Sequence, residues 1–240
     1  MKTSIHKANT RGKANHGWLN SHHTFSFGGH HNPDRMNFGV LRVLNDDVVA
    51  PGMGFRKHPH DNMEIISIPL YGDLEHKDSM GNESVIREGD IQSMTAGTGI
   101  IHSEFNRNRD KEVRFLQIWI LPKERNVPPR YDQISMKLED RHNKLQQIVS
   151  PNSDDDGVTI NQDAWFYITE MDVDKELEYT LKSVENGVYL FMIEGAILAN
   201  EESLSRRDGM GVYGIDKLQL KAVSQAKVLL MEVPMIINQL

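Results

Sequence analysis

Short runs of alternating apolar and polar residues, closed by Gly, Asn or Asp, recur along the whole chain. In the first half they are "MEIISIPLYGDLEHKD", "SVIREGDIQSM" and "VRFLQIWILP"; in the second, "WFYITEMDV", "GVYLFMIEGAILAN" and "AKVLLMEVPMII". A period of two sends successive side chains to opposite faces of a strand, so each run reads as a strand and the chain as all-β. Gly72, between Tyr71 and Asp73, predicts a hairpin, and the "IEGAI" turn echoes it in the second half. Helical periodicity is nearly absent; Asp132–Val149 is the best candidate, and a modest one. The cluster "SPNSDDDG", Ser150–Gly157, cannot build a core and reads as a linker or long turn. Two similar β domains in tandem, sandwiches or barrels, are expected, with residues 1–140 in the first and 141–240 in the second.

Composition narrows the chemistry. With 240 residues, 38% apolar and 25% charged, the chain has the balance of a soluble globular protein. No stretch approaches the roughly 18 apolar residues needed to cross a bilayer. The opening "MKTSIHKANTRGKANHGW" lacks an apolar core, so no secretory signal is expected and the cytoplasm is the expected location. Cysteine is absent, which leaves nitrogen and oxygen as the donors for any metal. A formal net charge of -7 without a basic stripe argues against direct nucleic-acid binding, though not against a protein partner.

All eleven histidines lie at or before His142, so an imidazole site belongs to the first half. In "HPHDNME", His58 and His60 flank Pro59, which disfavours a helix interior. In a strand they share a face, roughly 6.5 to 7 Å apart along the chain, with Glu64 in phase. In "GTGIIHSEFN", His102 and Glu104 form a second pair at the same spacing. Two such pairs from neighbouring strands would assemble three nitrogens and a carboxylate, close to the open two-histidine-one-carboxylate arrangement of iron(II) oxygenases, although Mn, Co, Ni, Cu and Zn accept the same donors.

These residues resemble a known family. Gly52 to Glu64 follows G-x5-HxH-x3-E and Gly89 to Asn106 follows G-x7-G-x4-H-x3-N, the two motifs of cupins. "HPHDNMEI", "HKDSMGN", "MTAGTGIIHSEFN", "QIWILP", "KANHGWLNSHHTFSFG" and "PPRYDQ" are closer to pirins and the bacterial pirin-like quercetin 2,3-dioxygenases. The match is strong from Lys7 to about Gln133. Thr95, where general cupins carry Pro, and the seven residues between Glu64 and Gly72 depart from the wider superfamily. The resemblance implies a bicupin of jelly-roll barrels with a degenerate second domain. It places a metal, with Fe(II) first among candidates, on His58, His60, His102 and Glu104. It further implies a dioxygenase that opens a flavonol such as quercetin with O2 and releases carbon monoxide, Glu104 or Glu64 taking the substrate proton. The alternative it carries is a metal-binding regulator that acts through a protein partner.

General cupins point to Glu64 as the carboxylate ligand and the pirin resemblance to Glu104; spacing favours Glu104, two residues from His102, since Glu64 lies roughly 13 Å from His60 if the segment stays straight and only a sharp bend or bulge would bring it in. Glu64 is therefore expected to sit behind the ligands, accepting a hydrogen bond from an imidazole or handling a substrate proton. His22, His23, His30 and His31 are expected to be loop residues, His76 to serve structural hydrogen bonding, and Trp18, Phe25, Phe27 and Phe38 to be mostly core.

Overall fold

The computed structural model describes residues 1–237 and consists almost wholly of strands. They form four sheets in two pairs. In the first pair, a seven-stranded sheet runs in spatial order Arg130–Ser135, Asp90–Thr95, Glu64–Tyr71, Val113–Ile120, Leu41–Val49, Leu19–His23, Gly12–Asn15. It faces a four-stranded sheet of Gly54–His60, Ile100–Asn106, Leu74–Asp78 and Glu83–Ile86. The second pair repeats the plan. Its seven-stranded sheet is built on Asn186–Glu194, Ala226–Pro234 and Trp165–Met171, and its four-stranded sheet on Glu176–Thr180, Lys217–Ala222, Ala196–Ala199 and Glu202–Ser205. The chain is thus the two-barrel, bicupin fold expected of it.

Three local expectations change. Gly72 does not close a hairpin: Glu64–Tyr71 and Leu74–Asp78 belong to different sheets, so the turn is a corner from one sheet to its partner. Gly195 makes the equivalent corner in the second barrel. Both glycines have positive φ, 74° and 77°, and a Cβ at Gly195 would lie 1.9 Å from the Gln225 carbonyl, so only glycine fits there. Asp132–Val149 is not an α-helix. It covers most of the strand Arg130–Ser135, a 3-10 turn at Leu138–Arg141 without a side-chain cap, and most of the strand Gln146–Ser150. Pairing with Asp90–Thr95 and with Trp165–Met171 overrides a weak helical pattern. Finally, Lys2–His6 pairs with Gly209–Tyr213, so the start of the chain belongs to the second barrel's sheet and the expected division at 140/141 has an exception there.

The two seven-stranded sheets pack against each other through one core shared by both halves, in which Leu44, Ile66, Ile118, Phe166, Phe191 and Leu229 are all buried. The barrel interiors differ. That of the second is filled continuously by side chains such as Met171, Leu190, Leu204 and Leu230. In the first, apolar residues form two small groups, one around Val49, Leu74 and Phe115 and one around Ile65, Met94 and Ile100. Ser67, His76, Glu104 and Gln117, all buried, supply polar side chains in this barrel.

Candidate metal centre

The histidines come from two adjacent strands of the four-stranded sheet. His102 pairs directly with His58, and Ile100 with His60, in the antiparallel ladder between Ile100–Asn106 and Gly54–His60. The register then slips, with Glu104 opposite Phe55, which places one extra residue on the strand carrying His58. Such a bulge re-aims the side chains beside it. The rings of His58, His60 and His102 converge, with centroid separations of 4.8 Å (His58–His60), 4.4 Å (His58–His102) and 4.9 Å (His60–His102). One ligand atom from each lies within 4.8 Å of the others.

The donors fit an ion. Nδ1 of His58 is 2.7 Å from the Arg56 carbonyl, a contact that takes the ring N–H and leaves Nε2 as the lone-pair nitrogen. His102 is 2% exposed, and neither of its ring nitrogens has a hydrogen-bond partner among the described residues. Buried polar atoms are rarely left unpaired. Burial, reinforced by the neighbouring imidazoles, lowers the His102 pKa to about 3 and that of His60 to about 4, which keeps both rings neutral near pH 7 and able to ligate. Glu104 is 1% exposed, and its carboxylate is fixed from two sides: Ser67 Oγ donates to Oε1 at 3.2 Å and Gln117 Nε2 to Oε2 at 2.7 Å. Its nearest group is not the full set expected: Glu104 shares a 4.8 Å neighbourhood with His102 and His76, so His102 is common to an outer and an inner triad.

Glu64 lies elsewhere. The chain turns at Asn62, which has φ 46°, and enters the other sheet, so the in-phase extrapolation from His60 fails. Glu64 then alternates with Ile66 and Ile68 on the face turned to the second barrel. Its Oε2 accepts from Thr95 Oγ1 at 2.7 Å and from the Asn161 backbone N–H at 3.1 Å, the latter across the two halves. It takes no hydrogen bond from an imidazole; the expected place behind the ligands is corrected to a tie between barrels. Burial pushes its pKa up to about 7, against hydrogen bonds that act to lower it. A folded-state value above the unfolded one means the folded chain holds a proton that the unfolded chain releases between about pH 4.5 and 7. The associated stability is present below that window and lost as pH rises through it, by up to about 3 kcal/mol. Glu64→Gln keeps both acceptor contacts and removes the charge. Denaturant unfolding should therefore find the variant more stable than wild type at pH 8 and equal to it at pH 4.5; equal stabilities at pH 8 would refute the assignment.

Sequence reasoning missed Ser67 and Gln117, although each is a lone polar residue in an apolar strand run, a mark of a buried polar group with a partner. Gln117→Leu leaves Glu104 one donor short, and metal affinity measured by chelator competition should fall by roughly 10 to 100-fold. Trp119, also missed, stacks its edge on His60 at 5.0 Å, donates from Nε1 to Gln117 Oε1 at 3.3 Å and meets Phe27 at 5.3 Å. Phe27 is thus beside the site, whereas Phe25 and Phe38 are core and Trp18 packs on Phe55. His23 is buried in a strand rather than in a loop, against Phe27. His76 does make the expected structural bond, to Asp78 at 3.1 Å, but also belongs to the inner triad.

Residues 4–120 match the Pirin family, and residues 147–233 match the quercetinase C-terminal cupin domain. The chain is 39% identical over 230 residues to a quercetin 2,3-dioxygenase of Escherichia coli K12, covering 96% of this chain and 98% of that protein. It is 36% identical over 222 residues to a pirin-like protein of Caulobacter vibrioides, covering 92% and 95%. A crystal structure of the bacterial pirin YhhW from E. coli in complex with nickel(II) superposes with a TM-score of 0.93 at 37% identity, over 98% of this chain and 100% of that one. With two barrels, a histidine cup in the first, and near-full-length relatives on both counts, the chain belongs to the pirin family.

Proposed function

We propose that this protein is a metal-dependent dioxygenase that opens the heterocycle of a flavonol such as quercetin with O2, releasing carbon monoxide, and that His58, His60, His102 and Glu104 hold its metal. The observation that carries the reading is the convergence of three imidazoles from paired strands beside a carboxylate held by Ser67 and Gln117. Iron(II) is the first candidate; Mn, Co, Ni, Cu and Zn suit the same donors. A bound divalent ion would lower the pKa of a coordinated hydroxyl and bring substrate and O2 together. The chain's own residues do the rest. His58 and His60 are partly exposed while His102 and Glu104 are buried, so substrate enters over the first two. Trp119 and Phe27 form an aromatic wall beside His60 against which planar rings can pack. In this reading Glu104 takes the flavonol hydroxyl proton, and Glu64, directed to the other barrel, is withdrawn from that role.

The first barrel carries the chemistry in this reading, and the second closes the shared core. The reading keeps the cytoplasm as the expected setting, and no helix among the described residues is long and apolar enough to cross a membrane. An oxygen electrode tests the proposal with protein stripped by chelator and reloaded with single metals. Quercetin-dependent uptake with carbon monoxide release should appear only in reloaded samples. No uptake with any of the six ions would reject it.

A further inference from the structure

His76 is fully buried, and Leu74–Asp78 sets it opposite Glu104 in the ladder with Ile100–Asn106. A ring nitrogen of His76, one of His102 and a carboxylate oxygen of Glu104 lie within 4.8 Å of one another. Behind His76 stands Asp78, whose Oδ2 is 3.1 Å from Nε2. Asp78 is anchored in turn by the backbone N–H groups of Met80 and Asn82 and by the Asn82 side chain. A carboxylate that orients one ring N–H is the usual companion of a metal-bound imidazole, and it leaves the other nitrogen with its lone pair. That nitrogen, Nδ1 of His76, is buried without a partner among the described residues. An ion held by the outer triad would satisfy one nitrogen of His102 and nothing on His76.

We propose that the cup contains a second, deeper cation seat formed by His76, His102 and Glu104. It rests on the reading of the cup as a metal centre. Two nitrogens and a carboxylate select a divalent first-row transition ion over calcium or magnesium. Because both seats draw on His102 and Glu104, they are alternative positions for one ion, the outer shared with the mouth histidines and the deeper closed from solvent. The deeper seat retains the ion when His58 and His60 are lost or displaced by an incoming ligand.

Cobalt(II) is the probe. Full-length metal-free protein is titrated as wild type, as His58→Ala/His60→Ala, and as that double variant with His76→Gln added, with cobalt content measured after gel filtration. The two mouth residues are partly exposed and outside the apolar clusters, so the fold survives their replacement. The double variant is expected to keep about one cobalt per chain at saturation with affinity reduced, and the triple variant to fall to roughly a tenth of that or less. X-ray absorption of the cobalt-loaded double variant gives a reading independent of how His76→Gln folds, with two imidazole ligands expected. A double variant without cobalt, or a triple variant equal to the double, overturns the deeper seat while leaving the outer one standing. A wild type without cobalt overturns the metal centre itself.

Discussion

His102→Ala is expected to lose bound metal almost completely, to roughly a tenth of wild-type content or less, because among the described residues it is the one common to both triads. Its ring makes no hydrogen bond that holds the protein together, and it packs among other imidazoles rather than in an apolar cluster. The variant should fold, with the far-ultraviolet circular dichroism of wild type. Elemental analysis after purification in metal-supplemented medium makes the comparison. Wild-type occupancy in folded His102→Ala would remove the histidine cup as the metal site.

Cutting the chain after Ser150 should abolish folding rather than release an active first barrel. Phe38, Leu41, Leu44, Ile66, Leu116 and Ile118 are each no more than 6% exposed, against side chains of the second barrel. Baring such residues costs about 1.5 to 3 kcal/mol each, and for all six together that matches or outweighs the roughly 5 to 15 kcal/mol by which a domain is stable. Lys2–His6 would also lose its strand partner, Gly209–Tyr213. Solubility and amide-exchange protection of the 1–150 fragment test this. A soluble, protected fragment that binds one metal per chain would show that the barrels are independent.

The period-two runs made the all-β class legible, and the absence of histidine after His142 pointed to the barrel in which the imidazoles converge. Both signals are local, and burial of alternate strand faces enforces them. What the sequence could not show depends on which sheet a strand joins. Tyr71-Gly72-Asp73 reads alike as a hairpin or as a corner, and only the pairing of Glu64–Tyr71 with Val113–Ile120 and Asp90–Thr95 decides it. The same ambiguity misplaced Glu64, since a single left-handed Asn62 breaks the phase that links it to His60. Gln117 and Ser67 were readable as odd polar residues in apolar runs, but their shared partner, Glu104, is 13 and 37 positions away along the chain. His76 makes the structural hydrogen bond expected of it, but nothing local to "LEHKD" reveals that it stands opposite Glu104.

The most direct test of the central claim is the position of the metal. Crystals of metal-loaded protein, measured at the absorption edge of the bound ion, should give one strong anomalous peak per chain at about 2.0 to 2.2 Å from a ring nitrogen of His102, among His58, His60 and Glu104 or displaced toward His76. A full-occupancy peak that lies away from His102, or in the second barrel, would contradict the account.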